Sequence, residues 1–371
     1  MRRAAAALGA AAALGAAALP ACVRPADERA LEDLEVGIAS AAGLSIAVDG
    51  GAAQVRVIEE GRIDLWAQAP VLGATVRAEP AAAGALRLSV ANCMPGSELD
   101  ARDAAGDALP VAPLPGSRPT SCRFELDLPP GEEIELAIAP PDAGDIARFR
   151  FAAMGDIQTG LPEVGDLFRR INAEPELRFV VSTGDLVEDG QVEEYELLLE
   201  RLALLDIPYY STIGNHELHG ETGMWIELLG RRNVHFRFKG VAFSLVDSGN
   251  ASLDPIVYDW LDGWLDRAAG DVHVFGTHFP PIDPVGARAG SFRSRKEAAK
   301  LLSRLAAGAV DLTLYGHIHS YYSYENAGIP AYISGGGGAL PEKLDGIGRH
   351  FLTIDVDPQA GIGAVGVVRV D

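Results

Sequence analysis

The sequence predicts a layered α/β domain over residues 146–371, preceded by a small all-β sandwich of immunoglobulin or fibronectin style over residues 36–140. Three observations carry that expectation. Apolar residues alternate with period two through the first part of the chain, as in half-buried strands. After about residue 146, strand-like runs alternate with amphipathic helical stretches, the grammar of a layered α/β fold. Five short polar blocks then close five of those strand-like runs, where ligand sites of such sheets lie.

The 371 residues suffice for two domains, and 48% apolar with 22% charged residues is a globular balance. The formal net charge of −21 repels nucleic-acid backbones, so no nucleic-acid-binding surface is expected. Arg2 and Arg3 precede an Ala/Leu run from Ala4 to Leu19. That run is shorter than the roughly 20 residues of a spanning helix and reads as an export signal over residues 1–21. Leu19-Pro20-Ala21-Cys22 resembles a bacterial lipobox, although Pro20 is uncommon there. The expectation is a lipid anchor on Cys22 and a place in the bacterial envelope, periplasm or cell surface. Ordinary secretion and a retained helix are the alternatives. Residues 22–35 read as a polar, acidic tether. With Cys22 so used, Cys93 and Cys122 remain, and an oxidising compartment permits a disulfide between them. It would add about 3–4 kcal/mol in the chain-entropy argument; two buried free thiols are the other reading.

Leu44, Ile46 and Val48 open the alternating text; Ile63 and Leu65, then Leu86, Leu88 and Val90 continue it. Phe124, Leu126 and Leu128, and Ile134, Leu136 and Ile138, close it. Pro110, Pro113, Pro115 and Pro119 mark an irregular connection between the cysteines, and residues 140–145 (PPDAGD) read as a linker. A strand from Arg148 to Ala153 then leads to Asp156, and a helical stretch from Val164 to Ile171 leads to a strand ending at Asp185. Val192, Tyr195, Leu198, Leu199, Leu202 and Leu205 have helical spacing and read as core packing. A strand from Pro208 to Ile213 ends at Asn215, Lys239-Gly240 reads as a hairpin turn, and a helix carries Trp260, Leu261, Trp264 and Leu265. Strands ending at His278 and His317 flank a helix from Arg295 to Ala306, and strand-like text closes the chain.

The five blocks are GDIQ (Gly155 to Gln158), GD (Gly184, Asp185), GNHE (Gly214 to Glu217), GTH (Gly276 to His278) and GHIH (Gly316 to His319). Glycine before each functional residue permits a sharp turn and leaves room for an ion. Asp156 and Asp185 offer anionic oxygens, Asn215 a neutral oxygen, and His278, His317 and His319 imidazole nitrogens; Asp185 has two oxygens and can bridge. Two divalent ions bring four positive charges, two carboxylates and a bridging hydroxide remove three, and a net of about +1 attracts phosphate on an otherwise acidic protein. His216 is not needed as a ligand and can protonate a leaving alkoxide or contact the phosphate.

The blocks, in order, resemble the calcineurin-like metallophosphoesterase superfamily, with the pattern D-x-H, GD, GNH[DE], GH or xxH, and GHxH. The stretch from Gly316 to Ala339 is similar to the C-terminal signature of purple acid phosphatase-type members, which often carry an N-terminal β-sandwich. The resemblance implies a four-layer αββα sandwich and hydrolysis of phosphate esters, acting on a small phosphate-ester substrate, with monoesters slightly favoured over diesters. It implies two metal ions (Mn, Fe or Zn). One would take Asp156, Gln158, Asp185 and His319, the other Asp185, Asn215, His278 and His317, with His216 the catalytic histidine. Gln158 stands where many members have His, which shifts preference toward Mn or Fe; alternatively it only hydrogen-bonds within its loop. Glu188 occupies the position of the purple enzymes' ligand Tyr, so a non-purple relative is implied.

His219, His235, His273 and His350 lie outside the blocks and read as surface or structural residues, with His219 a candidate for the pocket wall. Arg288, Arg293 and Arg295 sit in a Pro/Gly-rich segment, either a substrate-contacting rim or a solvated loop. Tyr321, Tyr322 and Tyr324 wall a pocket or pack, and Gly335 to Gly338 read as a tight turn or a phosphate cradle. A non-catalytic envelope binding protein that keeps the fold is the competing expectation, with Gln158 as its support.

Overall fold

Period-two alternation in the first part of the chain does build strands. They are β1 (Ile38–Ala41), β2 (Leu44–Val48), β3 (Ala53–Glu59), β4 (Arg62–Ala67), β5 (Leu72–Ala78), β6 (Gly84–Ala91), β7 (Glu98–Arg102), β8 (Val111–Leu114), β9 (Ser121–Leu128) and β10 (Glu133–Ala139). This computed structural model describes residues 26–220, 223–286, 290–342 and 347–370; Cys22, the expected signal at 1–21 and Arg288 lie outside the described residues. The ten strands form two five-stranded sheets, ordered β1-β2-β5-β10-β7 and β3-β4-β6-β9-β8. Ile46, Val76, Leu88, Leu126 and Ile134 meet between them, nearly solvent-free, as sandwich packing requires. The other strand pairs of the sandwich are antiparallel, but β4 and β6 run parallel, because the intervening β5 belongs to the opposite sheet. The Pro-rich excursion between the cysteines also contains β7 and β8, one on each sheet. Cys93 and Cys122 are joined in a disulfide, with Cα atoms 6.0 Å apart.

The second part contains β11 (Phe149–Met154), α2 (Gly165–Ala173), β12 (Leu177–Ser182), α3 (Val192–Leu202), β13 (Tyr209–Ser211) and α4 (Gly223–Leu228); α1, at the chain's described start, is taken up below. β14 (Val234–Phe238), β15 (Val241–Val246), α5 (Pro255–Arg267), β16 (Val272–Thr277), α6 (Arg295–Ala307) and β17 (Leu312–Tyr315) follow. β18 (Tyr321–Asn326), β19 (Ile329–Ser334), β20 (His350–Asp357) and β21 (Gly361–Arg369) close it. One sheet is ordered β13-β12-β11-β20-β21 and the other β14-β15-β16-β17-β19-β18. Phe149, Phe151 and Phe179 of the first pack on Phe236, Phe238 and Phe243 of the second, several ring pairs being edge-to-face at 5.2–6.0 Å. Leu167, Phe168, Tyr195 and Leu198 of α2 and α3 bury the outer face of the first sheet. Leu261, Trp264, Leu301 and Leu305 of α5 and α6 bury that of the second. The layers are therefore helix, sheet, sheet, helix. Local signals hold: Asp254 and Ser294 cap α5 and α6 through their side chains, and Lys239 and Gly240 turn the β14–β15 hairpin with φ of 51° and 83°.

The segment expected as a tether differs. α1 (Ala26–Glu32) runs into a 3-10 turn at Asp33–Glu35, and Arg29 and Asp33 are fully buried. Asp33 accepts from the main-chain N–H groups of Arg232 and Asn233 at 3.1 and 2.9 Å. Composition reads as solvated because the partners of these charges lie some 200 residues away. Among the described residues, no helix is long and apolar enough to cross a membrane.

The sandwich is joined to the layered part by two side-chain amides. Asn92 receives the N–H of Tyr209 and donates to its carbonyl, both at 2.8 Å. Gln68 does the same for Arg231, both at 2.7 Å. Each amide satisfies both polar groups of one residue's backbone inside the interface.

Candidate metal centre

Parallel strands β11, β12 and β13 point their carboxyl ends the same way, and so do β16 and β17 of the facing sheet. Asp156, Asp185, Asn215, His278, His317 and His319 all follow those ends, so seven donors, with Gln158, gather across both sheets. The turns are tight. Asp156, Gln158, Asp185 and His317 have φ of 63°, 43°, 55° and 66°. L-residues rarely adopt that region, and it recurs where geometry serves function. The glycines make room: a side chain at Gly214 would strike Asp185 Oδ1, and a Cβ at Gly316 would sit 2.7 Å from Asp156 Oδ2.

The donor atoms converge. His278 Nε2 lies 3.1 Å from both Asp185 Oδ2 and Asn215 Oδ1, and His317 Nδ1 is 3.1 Å from the same Asn215 oxygen. Ligand atoms of Asp185, His278 and His317 lie within 4.8 Å of one another. His319 Nε2 is 3.6 Å from Asp156 Oδ1. The remote nitrogens are tied elsewhere: His278 Nδ1 bonds the Thr183 carbonyl at 3.0 Å, and His319 Nδ1 the Leu340 carbonyl at 2.8 Å. Donation from Nδ1–H to a carbonyl turns the Nε2 lone pair inward, the arrangement metal-bound imidazoles adopt. The main-chain N–H of His317 holds Asp156 at 2.9 Å and that of His216 holds Asp185 Oδ1 at 2.9 Å. Oxygen and nitrogen donors of this kind fit the borderline divalent ions, Mn, Fe and Zn. Gln158 lies inside the cluster with Nε2 at 2.6 Å from Asp185 Oδ2 and 3.3 Å from His319 Nε2. It therefore bonds across blocks rather than only within its loop, and as oriented it turns its amide nitrogen, not its oxygen, toward the site.

Charge is frustrated in the protein alone. Burial pushes Asp156 up to about 7, with the Asp185 charge adding to it. Burial also opposes the charge of Asp185, but the His278 cation beside it holds it below the usual carboxylate range. Burial disfavours the His278 cation in turn, yet Asp185 and Asp156 raise it to about 9. Excess negative potential therefore captures a proton at His278, and a multivalent cation satisfies the same potential.

Glu217, in the GNHE block, was assigned no role by sequence reasoning. It is buried, and its carboxylate accepts from the main-chain N–H groups of Asp185, Leu186, Val187 and Gly214 at 2.5–3.3 Å. It welds the second block to the third; the signal available was its position within the block itself. Burial, then the Asp185 charge, pushes Glu217 up to about 7, against those N–H donors.

A cleft of about 400 Å³ opens beside the cluster, lined by Gln158, Glu188, His216, His319, Leu340 and Glu342 among others. His216 Nε2 lies 4.0 Å from Asp185 Oδ2, and Nδ1 bonds the Glu188 carbonyl at 2.6 Å. His219 is exposed, with its ring 4.8 Å from that of His216. His235, His273 and His350 are structural, the first two joined through Ser244. Tyr321, Tyr322 and Tyr324 belong to β18 and do not line this cleft. The Gly335–Gly338 run is a close backbone approach, with Gly337 N–H donating to the Gly155 carbonyl at 2.9 Å.

Comparison with known proteins agrees with this geometry. Residues 149–321 match the model of the calcineurin-like phosphoesterase family. A 3',5'-cyclic-nucleotide phosphodiesterase of Nostoc sp. is 28% identical over 156 residues, 40% of this chain and 58% of that protein. A protein of Arcobacter nitrofigilis named "Probable glycerophosphodiester phosphodiesterase" is 44% identical over 122 residues, 30% of this chain and 45% of its own length. The chain thus spans about half the length of these curated relatives. Among solved structures, a purple acid phosphatase from yellow lupin seeds superposes with a TM-score of 0.51 at 14% identity, covering 81% of this chain and 70% of that one, a likeness of fold. Over residues 149–321, slightly less than half of its length, the chain is therefore similar to the calcineurin-like phosphoesterase family.

Proposed function

We propose that this chain is a hydrolase of phosphoric esters. The observation that supports it is the convergence of seven donors from five strand ends, with remote imidazole nitrogens fixed by main-chain carbonyls. Asp156, Asp185 and His319 would hold one ion, with Gln158 joining them once its amide is turned to present the oxygen, and Asp185, Asn215, His278 and His317 would hold the other. Ions bound there would supply Lewis acidity toward the phosphate and lower the pKa of a bound water. His216, bonded through Nδ1 to the Glu188 carbonyl, leaves Nε2 toward the cleft to protonate the departing alkoxide. Glu217, through the N–H groups of Asp185 and Gly214, keeps the second and third blocks in register.

Between ester classes the proposal is a diesterase, in place of the slight monoester lean of the sequence, and the acidic lining of the cleft supports it. Glu188 and Glu342 line it, and no Lys or Arg does among the described residues. A dianionic monoester meets more repulsion there than a monoanionic diester. The names of the two curated relatives point the same way. Export and a lipid anchor at Cys22 remain part of the proposal, resting on the signal-like start and the disulfide.

Purified protein loaded separately with Mn, Fe and Zn tests the reading on bis(p-nitrophenyl) phosphate and p-nitrophenyl phosphate. Turnover with faster diester cleavage, abolished by Asp185→Asn, is the expected result. Bound metal without turnover of either ester would leave the non-catalytic binding protein standing.

A further inference from the structure

The strap that follows β19 is pinned to the metal centre by its backbone. Ala339 N–H donates to the Asp156 carbonyl at 2.9 Å, the Leu340 carbonyl accepts from His319 Nδ1 at 2.8 Å, and Glu342 N–H donates to the His319 carbonyl at 2.9 Å. Two proposed metal ligands therefore fix the peptides on either side of Leu340. Its side chain stands away from this anchored backbone and is 78% exposed, the most exposed large apolar side chain among the described residues. It lines the cleft beside Gln158, His216 and His319, and the other residues lining that cleft are polar or charged.

A single exposed leucine on an open surface needs no explanation. This one is held by its own peptide at the mouth of a cleft, where it cannot fold back onto the core. Charge cannot draw an anionic ester to that wall, because Glu188 and Glu342 line it. Beyond ions and hydrogen bonds, the apolar surface of Leu340 is what the wall offers a ligand. A second apolar edge adjoins the other set of ligands. The segment leaving His278 carries the exposed residues Ile282 and Val285. Asp283, between them, accepts from Gly290 N–H at 3.2 Å, and a Cβ at Gly290 would sit 3.4 Å from the His317 ring.

We propose, resting on the phosphoester-hydrolase reading, that the substrate is a phosphodiester bearing an apolar substituent, and that Leu340 is the specificity residue this substituent covers. With the phosphate at the donor cluster, the apolar arm extends over Leu340 and removes it from water.

Methyl and hexyl p-nitrophenyl phosphate test the proposal, because both release p-nitrophenolate and differ only in the arm that stays on phosphorus. The wild type, loaded in turn with Mn, Fe and Zn, is assayed below the concentration at which the hexyl ester aggregates. The hexyl ester should show a KM about tenfold lower than the methyl ester, the effect of covering a few methylenes, with similar kcat. Leu340→Ala should shrink that ratio to about twofold, and Leu340→Met, close in volume, should keep most of it. Val71→Ala, at an exposed apolar position on the sandwich, should leave the ratio intact. Elemental analysis should find the wild-type metal content in each variant, and circular dichroism melts check that each folds. Isothermal titration calorimetry gives a readout independent of turnover. Dihexyl phosphate should bind about tenfold more tightly than dimethyl phosphate, with a more negative heat-capacity change, and Leu340→Ala should shrink both differences. Equal KM values for the two esters in the wild type, equal losses with both in Leu340→Ala, or the same shift in Val71→Ala as in Leu340→Ala would overturn the proposal. Protein that turns over neither ester with any metal, yet binds dihexyl phosphate more tightly through Leu340, would defeat the hydrolase reading while the apolar contact stands.

Discussion

Arg29 and Asp247 form a two-pronged ion pair across 218 residues of chain: Arg29 Nε donates to Asp247 Oδ2 at 2.9 Å and Nη2 to Oδ1 at 3.1 Å. Both side chains are almost wholly buried. Asp247 also accepts from the N–H of Gly249 at 2.8 Å, and Gly249 abuts the Gly214 carbonyl beside Asn215. The N-terminal helix is therefore connected, by two steps, to the third block of the metal centre.

Arg29→Met strands the Asp247 carboxylate in the interior. Breaking a buried pair from one side costs about 3–5 kcal/mol. Urea denaturation should show a midpoint lowered accordingly with little change in slope; an unchanged midpoint would mean that the pair is worth nothing net.

Glu217→Gln removes one of two acceptor oxygens that serve four N–H groups and points an amide NH₂ at donors. We expect a loss of about 2–4 kcal/mol and weaker metal binding, because Asp185 loses its brace. Differential scanning calorimetry with and without added Mn checks both; equal stabilisation by Mn in the two proteins would count against the bracing role.

Gln158→His places an imidazole where the amide nitrogen now contacts Asp185 and His319. A nitrogen donor should tighten the first site roughly tenfold and move preference toward Zn. Chelator competition measures the affinity, and an unaltered Zn/Mn ratio would show that position 158 does not ligate.

Burial lowers His235 to about 3 and His273 to about 4, from 6.5 in the unfolded chain, with Arg237 adding repulsion to both and Arg267 to His235. Between those values the unfolded state binds more protons, so stability is full above about pH 6.5 and falls as pH drops toward 3. Each histidine contributes a slope of about 1.4 kcal/mol per pH unit in that window. Melting His273→Gln from pH 7 to pH 4 should reveal a shallower decline than wild type; parallel curves would contradict the assignment.

Much of the fold was legible because its signals are local. Alternation at Leu44–Val48 or Ile134–Ile138, the helical stripe from Tyr195 to Leu202, and the Lys239-Gly240 turn depend on neighbours a few residues away. The blocks were legible for a related reason: each requires a glycine and a ligand-type side chain side by side. Illegible features depend on distant pairing. The tether hid a docked helix because Arg29 and Asp33 find Asp247, Arg232 and Asn233 only once the chain has folded. The parallel β4–β6 pair was hidden because sheet exchange by β5 leaves no mark on its own residues.

By itself, the sequence determined the alternation of strands and helices and the five blocks of metal-friendly side chains, since short-range periodicity encodes burial and residue type encodes ligand chemistry; the order of the layers came from the family resemblance those blocks carry. Only the tertiary structure decided how those donors face one another, which carbonyls hold the imidazoles, and that Glu217 braces Asp185. Those relations arise where two sheets bring strand ends together, and angles and distances of a few ångströms between remote segments are set by packing rather than by any local run of residues.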